Sequence, residues 1–145
     1  VILLTLMFRQ FSIGLIGAVP ITITALLSFG VMGLLNIPLS TTTALLASIA
    51  VGIGIDYAVH FIERYKINLK KYTNKFEVAV HTINHSGRAI FFNAVVVIAG
   101  FLVLTFSVFP PNRALGALVS FNMFTSFLGT MSVMLILLYW KKRFK

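Results

Sequence analysis

The chain has 145 residues, no cysteine and a formal net charge of +9, with 59% hydrophobic and 10% charged residues. Soluble domains are about 45–50% apolar and about 25% charged, so an ordinary soluble domain and a disordered chain are both excluded. Nucleic-acid binding is excluded as the meaning of the basic charge, because most of the chain is apolar rather than basic. The expected fold is an all-α integral membrane protein, a polytopic helix bundle with its charges in the loops.

Val1 to Phe8 is apolar but shorter than the about 20 residues that a spanning helix needs. No basic stretch precedes it and no small-residue cleavage site ends it, so it reads as the tail of a helix cut by the start of a fragment rather than as a signal peptide. Four full spans are expected after this partial one, at 14–35, 38–62, 89–109 and 114–140. The connections at Asn36–Ile37 and Pro110–Arg113 are short, so each joins an antiparallel hairpin.

With four crossings, all of the 12 Lys and Arg residues except Arg113 fall on one side. The positive-inside rule then puts both termini and the 63–88 segment in the cytoplasm. Within that segment Asn74 and Glu77 resemble a capping box, and Phe76, Ala79, Val80 and Ile83 recur at helical spacing. The expectation is a short amphipathic helix on the cytoplasmic interface; the alternative is a solvated basic linker. Tyr139 and Trp140 beside Lys141, Lys142 and Arg143 mark the interfacial end of the last span.

The three acidic residues are Asp56, Glu63 and Glu77, and Asp56 alone lies within an expected span. An Asp at the centre of an inserted helix costs about 2.5–3.5 kcal/mol, somewhat less at this shallower depth, so it is expected to face a neighbouring helix or water rather than lipid. Ser48, Gly52, Asp56 and His60 repeat every four residues and share a stripe. Ala50, Gly54 and Ala58 form a small-residue stripe beside it, and small residues admit close helix approach. Gly52, Gly54 and Ala58 are therefore expected at helix contacts.

A carboxylate that alternates between low-dielectric and wetter surroundings takes up and releases a proton. Asp56 is thus either a proton relay or a packing residue held by one hydrogen bond. Tyr57, about 100° away on the helix, either donates across an interface or is simply packed. His60, near the surface, either passes protons to the cytoplasm or is an idle interfacial residue.

Gly52-Ile53-Gly54-Ile55-Asp56-Tyr57-Ala58-Val59-His60-Phe61-Ile62-Glu63-Arg64-Tyr65 resembles the fourth-helix motif of resistance-nodulation-division (RND) permeases, closest to the MMPL-type, lipid-exporter-like branch. Ser86-Gly87-Arg88-Ala89-Ile90 resembles the start of that family's fifth helix. Phe106-Ser107-Val108-Phe109-Pro110-Pro111-Asn112-Arg113-Ala114-Leu115-Gly116 is similar to its fifth-to-sixth hairpin, in the C-terminal half more than the N-terminal half. Order and spacing agree along nearly the whole chain.

The resemblance implies one membrane bundle from a protein of two six-helix repeats. Each repeat carries a large extracytoplasmic domain, and proton flow drives export of lipids or other hydrophobic compounds. It implies a proton-relay role for Asp56 with Tyr57 beside it, and protons as coupling ion without a further cofactor. It also implies the inner membrane of a prokaryote, and the bilayer, a hydrophobic substrate and a missing transporter half or another protomer as partners. The first helix, the extracytoplasmic domain and the other half have no counterpart in this sequence. The chain is then a secondary-transporter fragment, not an enzyme.

Other signals are weaker. Asn84-His85-Ser86 matches a glycosylation sequon, but on the expected cytoplasmic side. His81 and His85 have the spacing of a metal pair without further ligands to complete a site. Thr41–Thr43, Asn122, Thr125, Ser126 and Thr130 are polar groups in spans and are expected to hydrogen-bond within or between helices. Asn93 is the amide that most needs a partner. No Ser/His/Asp constellation and no phosphate loop is present. Two other functions compete: a SecD/SecF-like protein-export accessory, whose motif usually lacks the Tyr and His found here, and a non-transporting lipid- or sterol-sensing bundle.

Overall fold

The structure is a computed structural model of the chain. It describes all residues except Val1, Leu35, Leu39, Ser40 and 141–145, and omits the side chains of Leu3, Thr42, Leu46, Ala47, Ala50 and Val51. The basic run after Trp140 and the side chain of Ala50 therefore lie outside the described residues. What is described is helical with no strand. The helices are α1 (Ile2–Phe8), α2 (Phe11–Leu34), α3 (Thr41–Lys71), α4 (Lys75–Thr82), α5 (Arg88–Val103), α6 (Pro110–Gly129) and α7 (Leu135–Trp140).

Three runs among the described residues are long and apolar enough to cross a membrane: Phe11–Leu34, Lys75–Phe106 and Pro110–Trp140. The expected span 38–62 falls on α3, a helix of 31 residues. The chain is an integral membrane protein by these helices. Its many exposed large side chains, such as Leu26, Phe92, Val96 and Phe106, suit a hydrocarbon surrounding, where no hydrophobic force drives them inward.

Local chemistry sets the helix ends. α2 stops at a Schellman motif: Asn36 takes φ 52°, its N–H donates to Gly33 C=O, and Ile37 N–H donates to Met32 C=O at 2.9 Å. Asn is among the few non-glycine residues that adopt this left-handed conformation readily. Arg9, at φ 51°, makes the break between α1 and α2. Asn74 caps α4, its side chain accepting from Phe76 N–H at 3.0 Å. Pro110 starts α6, where its missing N–H is harmless. The turn before it is tied by Arg113 Nε donating to Ser107 C=O at 2.6 Å.

The 63–88 segment differs from expectation. α3 does not end near Ile62 but continues to Lys71, and the short helix expected after Asn74 is present as α4 but runs on into the next span rather than standing alone. A π-helical turn, Ile83–Gly87, joins α4 to α5 in one run. Nothing from Glu63 to Lys71 breaks a helix, and the buried seam of α3 carries on through Phe61, Ile62, Tyr65 and Asn68. Tyr65 OH donates to Leu138 C=O at 3.1 Å. Asn68 Nδ2 donates to Thr82 Oγ1 at 2.9 Å, and that hydroxyl donates to Val78 C=O. Burial, and less so the neighbouring Tyr139, raises the Tyr65 phenol above its ordinary pKa, so it stays a neutral donor.

α6 is the hub, packing against α2, α3 and α5. A second π turn, Thr130–Met134, links it to α7. The core gathers where α3 meets α6 and α7: Tyr57, Phe61, Tyr65, Val119, Met123, Met134 and Leu138. Close approach depends on glycine at two crossings. A Cβ on Gly116 would lie 2.5 Å from Phe101 C=O, and one on Gly129 would lie 3.3 Å from Pro20 Cβ.

Candidate functional site

The site is built on α3, whose two faces differ. Gly54, Tyr57, Ala58, Phe61 and Ile62 are buried, a stripe at helical spacing against α6 and α2. Ser48, Gly52, Asp56, His60 and Glu63 form the opposite stripe, and all are exposed. The two stripes, expected side by side against one neighbour, are separated by tertiary packing. A Cβ on Gly54 would lie 2.8 Å from Ser126 Oγ, whereas one on Gly52 would meet nothing within 4 Å among the described residues. Among the described residues Gly52 thus meets no neighbouring helix, contrary to expectation, because α6 lies on the other side of α3.

Asp56 likewise faces no helix of the described bundle. Tyr57, one residue on, turns inward and is fully buried, its hydroxyl pointing to Met123 Sδ at 3.9 Å. A thioether is a weak acceptor, so the phenol has a loose partner. His60 lies one turn from Asp56 on the open face.

Below Asp56, toward the basic end, α3 and the π turn before α5 diverge to leave a cleft of about 500 Å³. Its polar lining includes His60, Glu63, Arg64, His85, Ser86 and Asn93, with Tyr57 at its inner wall. The cleft joins residues from segments about one helix apart in sequence, which no local pattern predicts. Asn93 stood out in the sequence as an amide needing company, and it lines this cleft.

The other polar residues sort by position. Thr125 donates to its own helix at Phe121 and Asn122 C=O, and Ser120 Oγ donates across to Ile98 C=O at 3.3 Å. Asn122 Oδ1, Ser126 Oγ and Thr130 Oγ1 are buried without a hydrogen-bond partner among the described residues. His81 stacks on Tyr72 at 4.3 Å between centroids, and His85 continues the stack at 6.4 Å. Among the described residues no cluster of three or more His, Cys, Asp or Glu could hold a metal.

The model of the MMPL family matches residues 1–143. The chain belongs to the MMPL family. Two relatives are named as putative membrane proteins: MJ1562 of Methanocaldococcus jannaschii, 32% identical over 116 residues, and YdgH of Bacillus subtilis, 30% identical over 112 residues. The alignments cover 79% and 74% of this chain but only 30% and 13% of those proteins. No solved structure matches the chain.

Proposed function

We propose that this chain is one membrane repeat of a proton-motive-force-driven exporter of lipids or other hydrophobic compounds. Asp56 takes up and releases the coupling proton, and Tyr57 and His60 assist it. The observation that carries this reading is the position of the acid: a lone intramembrane carboxylate in an MMPL chain, on an open helix face above a polar cleft. An ionisable side chain in a membrane helix is expensive unless it meets protein or water.

In this reading four helices cross the inner membrane of a prokaryote, α3 among them, with both termini and the 63–88 segment cytoplasmic. The open face of α3 is covered by the other transporter half or by another protomer. Helix movement then alternates Asp56 between that dry contact and the wetter cleft. The proton affinity of a carboxylate depends in general on dielectric and neighbouring charge. His60, exposed at the cleft, is the group that exchanges protons with the cytoplasm, and the Tyr57 hydroxyl is a donor that a shift of α3 frees from Met123.

Replacing Asp56 by Asn in the intact protein tests this. Asn keeps the size and can hydrogen-bond but does not titrate. Substrate-coupled proton flux in proteoliposomes falls to background while membrane insertion and expression persist. Flux at the unaltered rate overturns the proton-relay role.

A further inference from the structure

At the basic end of the bundle α4 and α7 run side by side and leave an apolar groove of about 300 Å³. Phe76, Val80 and Ile83 form one wall, three or four residues apart on the same helix side; Ile136, Tyr139 and Trp140 form the other. Phe76 is 66% and Trp140 83% exposed, so no part of the described bundle covers the groove. Across it Lys75 Nζ donates to Tyr139 C=O at 3.3 Å, which places an ammonium at the groove's rim. The sequence continues from Trp140 directly into Lys141-Lys142-Arg143. Glu77, the acid on α4, does not line the groove.

This combination selects a ligand. Tyr and Trp at the end of a spanning helix sit at headgroup level, so the groove opens where acyl chains begin. An apolar trough favours a hydrocarbon tail. The lysine at its rim favours an anionic head, as basic sites next to membrane helices do, and the sequence after Trp140 adds further basic residues. A peptide partner gains little from a trough at this depth, and a zwitterionic lipid gains less from the lysine than an anionic one does.

We propose that the groove between α4 and α7 binds an anionic phospholipid of the adjoining leaflet, with an acyl chain between the two helices and its phosphate at Lys75. The site is separate from the Asp56 face and requires only that the protein is embedded in a bilayer. The lipid braces the α4 hairpin against the end of the last membrane helix.

Trp140 is the one tryptophan of the chain and forms a wall of the groove, so it reports occupancy directly. The protein is reconstituted in phosphatidylcholine vesicles containing a small, equal fraction of either dibrominated phosphatidylglycerol or dibrominated phosphatidylcholine. Brominated phosphatidylglycerol quenches Trp140 several-fold more strongly at equal mole fraction. Lys75→Gln reduces the two lipids to similar quenching, and native mass spectrometry of the unaltered protein retains phosphatidylglycerol in preference to phosphatidylcholine. Ile136→Trp and Val80→Trp, which fill the trough from either wall, lose the retained lipid. Equal quenching by both lipids in the unaltered protein overturns the proposal without recourse to any variant. So does unchanged preference in Lys75→Gln, or a protein dimer that Val80→Trp dissolves, which would assign the groove to a second copy.

Discussion

Gly52 and Gly54 stand two residues apart in one motif, yet the bundle treats them differently. A β-carbon at Gly54 meets the Ser126 hydroxyl, and any side chain beyond a methyl meets α6 itself. Gly54→Val therefore overpacks the α3–α6 contact and destabilises the bundle by about 1–3 kcal/mol. Gly52→Val has no such neighbour and leaves the melting temperature of the purified chain nearly unchanged. Equal destabilisation by the two variants, followed by thermal unfolding in detergent, refutes the assignment of faces. Gly116→Ala is a sharper case. The methyl group meets backbone atoms of α5 rather than a rotatable side chain, so the hairpin must open, and the loss exceeds that of Gly54→Ala, where the Ser126 hydroxyl turns aside. Tyr57→Phe removes a donor with a weak acceptor and changes stability little. Any loss of proton flux it causes is smaller than that of Asp56→Asn, because Tyr57 carries no coupling proton.

At the scale of elements, the hairpin of α3 and α4 is the feature that local patterns understate. The Asn68 amide on Thr82 and the Tyr72–His81 stack join its two arms, Asn74 caps α4, and the Tyr65 hydroxyl on Leu138 C=O anchors α3 to α7. Tyr65→Phe deletes one buried hydrogen bond, with an expected loss of about 0.5–1.5 kcal/mol. Asn74→Ala deletes the cap, with a loss of about 0.5–2 kcal/mol. If α3 is continuous to Lys71, the amides of residues 63–71 exchange hydrogen slowly, in step with those of the core. Rapid exchange there, like that of a loop, contradicts the helix. The two π turns belong to the same region, since a Cβ on Gly87 in the first would touch Met131 Sδ in the second at 3.4 Å.

For the whole molecule, the distribution of charge makes an orientation testable. The chain has no cysteine, so single-cysteine variants need no background removal. Under the proposed topology an impermeant thiol reagent applied from outside the cell labels Asn112→Cys and spares Asn74→Cys. The reverse pattern inverts the bundle. The exposed stripe through Asp56 also predicts dependence on a further partner: the purified chain reconstituted alone inserts but moves no protons, because the open face of α3 lacks its cover. Proton-driven efflux by the chain alone contradicts that dependence.

The amino-acid sequence by itself determined the membrane character, since only a bilayer solvates so many apolar side chains around so few charges. It also marked the helix boundaries at Asn36, Asn74 and Pro110, because caps and φ restrictions act within a few residues. It singled out Asp56, because an acid among apolar residues is conspicuous at any register. Tertiary structure decided the rest. The helical wheel puts Asp56 and Gly54 on different stripes but does not say which stripe meets α6; packing of Tyr57 and Phe61 against Met123 and Val119 settles that. The continuity of α4 into α5 through a π turn depends on contacts with α3 and α7, and an isolated amphipathic stretch looks the same whether it lies on a membrane or extends a span. The cleft that joins His60 to His85 and Asn93 arises only when α3 meets the π turn that leads into α5, since side chains so far apart in sequence share a wall through packing and not through any local repeat.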